Sequence, residues 1–444
     1  MDLAIHANFD KSLLHRKYAI AQQAAHITGD NMNNKSKILT ALWFFQAVNY
    51  LDRVAISFAG PSIMKSLTMD PKAFGIILSS FAIGYLIAQV PGGMLADRFG
   101  NRLLMLLAPI GWAIATGLTG LVASVAAFVV VRGSLGIAEG LSNAPIYNLI
   151  GENFNSRERS RAVAIWGTAF ALGPALTGPI VGFLLSHFRW QAVFQMIAIP
   201  ALIAALAIYV FIPSRHRSQR ASDAGDPKSG TPQQFGAEFK KVLRDPSLWV
   251  ISAAYCAFNI AFWGYLGWMP SYLSSARGID MRSIGMLGGI PYLSAFFGLL
   301  IFGWLGGSRL YRFRLQMLCV SYVVAAISLF GAYTAQSLSS SLVGLSLSAL
   351  FMYGGLSCFG AILLDLAPEA VRGTYSGICS TVGQVGGAIA PALIGVLVSR
   401  SGTFAAGFGL MVAALCIAGL CMIALLPMMP IRARNPNSPD ALQA

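Results

Sequence analysis

The 444-residue chain is short of charge: Asp, Glu, Lys and Arg make up only 11% of it, against about 25% in an ordinary soluble domain. Acids are the scarcer sign, with 17 Asp and Glu against 31 Lys and Arg. At 56% hydrophobic residues, the composition excludes a soluble enzyme or binding domain. Histidine is missing from the apolar runs. His6, His15 and His26 lie in the N-terminal tail, and His187 and His216 at segment ends, so there is no buried histidine relay. Cysteine forms no Cys-x-x-Cys pair. Cys256, Cys319, Cys358, Cys379, Cys416 and Cys421 all sit in apolar runs of the second half. That excludes a zinc site and a disulfide framework and leaves small apolar filler. A nucleophile–base set, a metal-ligand cluster and a phosphate loop are also missing. An enzyme is therefore not expected, no catalytic or metal-binding residue is assigned, and no cofactor is called for.

Residues 1–37 lack the apolar core and cleavage site of a secretory signal. They show no periodicity, and irregular structure is expected there. Met32 opens Met-Asn-Asn-Lys-Ser-Lys, a short basic leader and an alternative start of translation.

What is present is an all-α membrane protein. Roughly 20 apolar residues cross a bilayer. Twelve such spans are expected, near residues 38–60, 74–95, 103–123, 125–149, 160–185, 190–212, 247–272, 284–306, 315–335, 338–364, 372–398 and 403–428. Residues 213–246 break the pattern with Ser, Arg, Gly and Asp before a short helical stretch, Phe235 to Leu243. The chain thus divides into a tail (1–37), a six-helix half (38–212), a linker (213–246), a second six-helix half (247–428) and a C-terminal tail (429–444).

A net charge of +14 would raise the question of nucleic acid in a soluble protein. Its placement answers it. Lys65, Lys72, Arg189, Arg277, Arg282 and Arg400 lie in one set of loops, Arg53 and Arg132 are embedded, and the remaining 23 basic residues share the tails and the alternate loops. That is the positive-inside pattern of a multi-pass protein of the cell inner membrane with both termini cytoplasmic. Its partners are then the lipid bilayer and small solutes, not nucleic acid.

The halves repeat weakly. A shift of 211 maps Gly92 onto Gly303, Arg98 onto Arg309 and Arg161 onto Arg372, and nearby shifts map Gly75 onto Gly285 and Pro179 onto Pro391. Carriers built from two related halves place substrate near the midplane between them.

The chemistry concentrates in Asn49-Tyr50-Leu51-Asp52-Arg53, inside the first span. An acid or base at a helix centre costs roughly 2.5–3.5 kcal/mol on an insertion scale, so embedded charges point to use. Gln46, Asn49 and Arg53 are spaced three and four apart and share a face, with Asp52 offset by about 100°. In span 4, Arg132 and Glu139 are seven apart and also share a face, with Gly136 and Asn143 on it. A guanidinium matches an anionic group with a planar fork, so Arg53 and Arg132 are the candidate substrate cations. Desolvation favours the neutral form of an embedded acid unless a cation offsets it, so Asp52 and Glu139 are the candidate proton carriers. The bland alternative is that the four neutralise one another as packing ion pairs. Tyr85 with Gln89, Asn259 with Trp263 and Ser380 with Gln384 are further polar or aromatic pairs on shared helix faces. Asp365, at the end of span 10, is given no transport role.

The loop after span 2 reads Gly92-Gly-Met-Leu-Ala-Asp97-Arg98-Phe-Gly100-Asn-Arg102. Its glycines allow close helix approach, and its charges are expected to pair across neighbouring helices and hold one gate state. This Gly-x-x-x-Ala-Asp-Arg-x-Gly-x-Arg stretch resembles the signature loop of the major facilitator superfamily. The counterpart in the second half keeps Arg309 but has Ser308 where Asp97 maps. Asn49-Tyr-x-Asp-Arg53 further resembles the superfamily's anion:cation symporters, as do Tyr85 before Gln89-Val-Pro-Gly-Gly93, Arg132 with Glu139, Trp268-x-Pro-x-Tyr272 and Ala276-Arg277-Gly278. The resemblance covers about residues 38 to 428. It implies two pseudo-twofold six-helix bundles and a carrier of sugar acids, tartrate, phthalate or similar organic anions; function as a monomer is expected. It also implies substrate contacts at Tyr85 and Gln384, with Asn49 and Ser380 beside them. The sugar-acid members carry a glutamine in span 5 where this chain has Phe170, which argues against a heavily hydroxylated substrate. The expected function is proton-driven import of a small organic anion by alternating access. Anion exchange without net proton movement is the alternative, and a membrane sensor on a carrier scaffold is a more distant one.

Overall fold

The computed structural model describes residues 2–154, 156–212, 242–307, 310, 313–367 and 372–428; the helical stretch expected up to residue 241, Arg309 and the C-terminal tail lie outside them. Among the described residues there are helices and no strand. In chain order these are α1 (Asp2–Ser66), α2 (Pro71–Phe99), α3 (Asn101–Thr119), α4 (Val125–Gly140), α5 (Asn143–Asn153), α6 (Ser156–Gly167), α7 (Ala169–His187), α8 (Trp190–Phe211), α9 (Pro246–Ser275), α10 (Met281–Gly307), α11 (Arg314–Thr334), α12 (Leu338–Leu366), α13 (Arg372–Ser401) and α14 (Ala405–Leu425).

Local sequence sets several of the starts. Asp70 precedes Pro71 and accepts the Ala73 amide at 2.9 Å, and Asp245 precedes Pro246 and accepts the Ser247 amide at 2.9 Å. An acceptor at the cap followed by proline is a helix start, because proline lacks an N–H that would go unpaired there. Ser124 and Ser337 cap α4 and α12 in the same way.

Eleven stretches among the described residues are long and apolar enough to cross a membrane. Two of them are broken helices: α4 and α5 make one crossing, and α6 and α7 make another. The part of α1 from Ile38 onward falls short of that composition, because Gln46, Asn49, Asp52 and Arg53 dilute it. It still lies within the bundle, packed on α7, α8 and α9, and completes twelve crossings. One expectation fails at its front. Residues 2–37 continue α1 as helix instead of being irregular. They contain no proline and a single glycine, Gly29, so nothing breaks a helix already nucleated by the span.

The first half packs as α2 on α4, α3 on α8 and α1 on α7, and the second as α9 on α13, α10 on α12 and α11 on α14. The halves meet where α2 lies on α13 and α7 on α10. The residues that the sequence repeat pairs occupy matching places in that seam. A Cβ on Gly75 of α2 would stand 2.5 Å from the Pro391 carbonyl of α13, and one on Gly285 of α10 would stand 2.6 Å from the Gly178 carbonyl of α7. Both contacts are too close for any side chain, so glycine is what lets the halves touch backbone to backbone. Ser79 of α2 adds a hydrogen bond across the seam, accepting the Ala392 amide at 2.9 Å. Outward from the core, Ile87, Leu107, Trp304 and Leu420 are more than half exposed, which is the apolar surface a bilayer covers.

Candidate functional site

The site begins with how closely α4 approaches α2. A Cβ on Gly136 would collide with the Phe81 carbonyl, and one on Gly140 would stand 2.6 Å from the Tyr85 carbonyl. The bare backbone of α4 therefore lies flat on α2 and brings Arg132 and Glu139 alongside Phe81 and Tyr85. From the other side α1 supplies Asn49, Tyr50, Asp52 and Arg53.

Arg53 and Glu139 meet in this crossing. Arg53 Nη2 donates to Glu139 Oε2 at 2.8 Å and Nε to the same oxygen at 3.3 Å. Nη2 also donates to Asn49 Oδ1 at 3.2 Å, and Gln46 Nε2 reaches that oxygen at 3.4 Å. Arg53 is 7% exposed and Glu139 1%. Around the guanidinium stand four rings, with Cζ-to-centroid distances of 4.7 Å to Tyr85, 4.9 Å to Tyr50, 5.1 Å to Phe81 and 5.4 Å to Trp263. Trp263 belongs to α9, so the second half reaches the cation through a ring. Each such stack contributes about 0.5–2 kcal/mol, at the upper end where water is excluded.

The other two charges are placed differently. Asp52 is fully buried, and neither of its carboxyl oxygens has a hydrogen-bond partner. It lies off the Arg53 face, near the charges of Arg132 and Glu139, with the Thr116 hydroxyl as a donor within reach. This is the offset that helical spacing implies. Arg132 is 1% exposed, lies 5.2 Å over the Phe81 ring and makes no hydrogen bond among the described residues. It does not form an ion pair with Glu139 there; Glu139 goes to Arg53 instead.

Of the other expected contacts, Tyr85 stacks on Arg53, and Asn143 Nδ2 donates to the Tyr85 hydroxyl at 2.5 Å. Asn143 is the first residue of α5, because the fourth span breaks at Leu141 and Ser142. Gln384 and Ser380 are half-buried on α13 and make no hydrogen bond to the cluster. Asn259 donates to the Tyr255 carbonyl of its own helix at 2.8 Å and is packing. Phe81 and Tyr50, which the sequence reading leaves out of the substrate contacts, complete the ring cage together with Trp263, a candidate by its shared face with Asn259. The signal for the first two was present in the spacing: Phe81 lies one turn before Tyr85, and Tyr50 one turn before Arg53. Phe170 stands beside them, 4.8 Å from the Trp166 ring and 5.5 Å from Tyr50.

The signature stretch is helix rather than loop: Gly92 to Phe99 end α2, Gly100 alone makes the turn, and Asn101 opens α3. A Cβ on Gly92 would stand 2.8 Å from Leu141 Cα, so this glycine seats α2 on the break between α4 and α5. Arg102 donates Nη2 to the Tyr209 carbonyl of α8 at 2.8 Å and stacks on the Tyr209 ring, and joins no ion pair among the described residues. A backbone carbonyl at a helix end is a fixed, uncharged acceptor within its reach. Arg98 lies over Phe99 at 5.3 Å. The side chain of Asp97 lies outside the described residues. Ion pairs at this end of the bundle join Lys35 to Glu158 at 2.7 Å and Arg314 to Asp365 at 3.4 Å. The Trp268, Tyr272 and Arg277 motif is a brace: Arg277 donates to the Tyr272 hydroxyl at 2.8 Å and to the Ala332 and Tyr333 carbonyls, tying α9 to α11.

The model of the Major Facilitator Superfamily matches residues 42–391, and again residues 283–443. A hexuronate transporter of Bacillus subtilis (strain 168) is 28% identical over 389 residues, covering 85% of this chain and 92% of that protein. A probable sulfoacetate transporter of Cupriavidus necator is 27% identical over 428 residues, covering 92% of this chain and 96% of that protein. Among solved structures, a bacterial homologue of the human lysosomal transporter Spinster superimposes with a TM-score of 0.73 at 20% identity, over 91% of this chain and 98% of that one. The last likeness is one of fold.

Proposed function

The chain belongs to the major facilitator superfamily, a family of transporters, and we propose that it imports a small organic anion across the cell inner membrane by proton symport. The observation that carries the reading is the buried Arg53–Glu139 pair next to an unpartnered Asp52. An incoming anion takes the forked guanidinium of Arg53 and competes with Glu139 for it. A carboxylate left alone at 1% exposure is strongly disfavoured. Glu139 is released at least cost as the protonated acid, so anion binding and proton uptake are linked through one cation. Asp52, with no well-formed hydrogen bond and only the Thr116 hydroxyl and the Arg132 charge near it to offset its own, serves as the second proton site. Arg132, without a hydrogen bond, supplies positive potential to both acids.

The relatives named for hexuronate and sulfoacetate support an organic anion as cargo. Phe170, packed between the Tyr50 and Trp166 rings, offers no hydrogen-bonding group to a hydroxyl where the sugar-acid members have an amide. The cargo that fits is a compact carboxylate or sulfonate, or an aromatic acid, with few hydroxyls. Rocking of the halves about the seam would expose the site to each side in turn, with the basic loops cytoplasmic. An exchanger would use Arg53 equally well, but it has no need of an unpartnered acid beside the pair.

The test is uptake into proteoliposomes across a panel of uronates, dicarboxylates, sulfonates and aromatic acids under an imposed pH gradient. Symport predicts accumulation that collapses with a protonophore. Transport of the true substrate that ignores both gradient and protonophore contradicts it.

A further inference from the structure

We infer that the outer face of α2, α3 and α4 is a binding site for one anionic phospholipid. A groove of about 560 Å³ opens there on the surface of the bundle, walled by Leu95 and Phe99 of α2, Leu103 and Leu107 of α3, and Ile137 and Leu141 beside α4. Its lining is apolar except for Ser134. Phe99, Leu103 and Leu107 are about half exposed, at 54%, 43% and 56%. The face points away from the seam between the halves and plays no part in the substrate site.

Two features select the occupant. The first is length. Leu103 and Gly111 mark the two ends of the α3 wall, and eight residues of helix rise about 12 Å. One leaflet of hydrocarbon is about 15 Å deep, so the groove takes the upper part of an acyl chain lying along the membrane normal. The second is charge. The groove ends at the side of the bundle that carries the basic loops, and two guanidiniums stand at that end. Arg98 is exposed, lies over the Phe99 ring that lines the groove and makes no hydrogen bond among the described residues. Arg102 commits Nη2 to the Tyr209 carbonyl, while its Nε is buried and unpartnered. A phosphodiester at this depth meets the open fork of Arg98 with its chain already in the apolar channel, while Arg102, held on Tyr209 of α8, adds positive charge nearby. The cytoplasmic leaflet, where the basic loops belong, is also where anionic lipids attract such residues. Phosphatidylethanolamine carries its own ammonium and neutralises itself, so the site favours a headgroup with net negative charge.

The experiment is native mass spectrometry of the purified full chain, delipidated and offered an equal mixture of phosphatidylglycerol and phosphatidylethanolamine. The wild type keeps one phosphatidylglycerol in preference. Arg98→Gln with Arg102→Gln loses the preference, Arg98→Lys with Arg102→Lys keeps it, and Leu103→Gln with Leu107→Gln loses the bound lipid altogether. Should the Gln pair fail to fold, the Leu pair and the Lys pair still decide. Equal retention of both lipids by the wild type, or a preference that survives in the Arg→Gln pair, overturns the site. So does displacement of the lipid by free glycerol 3-phosphate at equal concentration, which would make it an anion site without a groove.

Discussion

Glu139 of α4 gives a single carboxylate oxygen to two nitrogens of Arg53 on α1, Nη2 at 2.8 Å and Nε at 3.3 Å, where both side chains are nearly closed to water. Its second oxygen, Oε1, has no partner. The pair is therefore bound but not saturated, and it joins the two helices that carry all four embedded charges of the first half.

Glu139→Gln keeps the shape but removes the charge that Arg53 answers. Breaking one partner of a buried pair costs about 3–5 kcal/mol. The variant is expected to melt at a lower temperature in detergent. Its affinity for the anion is also expected to vary less with pH than that of the wild type, because the proton-linked competitor for Arg53 is gone. Titration calorimetry at two pH values checks this.

Arg53→Lys is expected to fail almost as completely as removal of the side chain. An ammonium has no planar fork to hold Glu139 and Asn49 at once, and it cannot stack flat among Tyr50, Phe81, Tyr85 and Trp263. Equilibrium binding of radiolabelled substrate measures the loss.

Asn143→Ala removes the hydrogen bond to the Tyr85 hydroxyl. A neutral hydrogen bond contributes about 1 kcal/mol net, so the expected effect is a several-fold rise in KM with a small change in stability. A large loss of folded protein would show instead that Asn143 sustains the α4–α5 break.

Phe170→Gln places an amide beside Tyr50 and Trp166. Competition by hydroxylated acids should rise relative to unsubstituted ones, while transport of the native anion falls. Competition uptake assays give the ratio.

Gly285→Val puts branched carbon against the Gly178 carbonyl, where even a Cβ would stand 2.6 Å away. The halves cannot close at that end, so net transport should stop while binding persists. Substrate binding and net uptake measured side by side on this variant check it.

Much of the site was legible because helical spacing is a strong constraint. Three and four residues between Gln46, Asn49 and Arg53 fixed one face, and seven between Arg132 and Glu139 fixed another. Spacing does not choose partners between helices, however. Whether Glu139 pairs with Arg132 of its own helix or Arg53 of another depends on how closely α4 lies on α2, which Gly136 and Gly140 decide through backbone contact. The contact of Trp263 with Arg53 was similarly hidden, since it is made only across the seam. The helical front of α1 was not legible, because residues 2–37 carry no apolar periodicity and only the absence of proline favours a helix there. The partner of Arg102 was missed because a backbone carbonyl leaves no mark in the sequence.

The central claim is that one embedded residue binds the anion and its chain neighbour carries a proton. The most direct measurement compares Arg53→Ala and Asp52→Asn in two assays, substrate binding and accumulation driven by an imposed pH gradient. The account predicts that Arg53→Ala loses both, whereas Asp52→Asn keeps binding and loses accumulation. If both variants accumulated substrate as the wild type does, the Asp52–Arg53 stretch would be packing and the mechanism would be wrong.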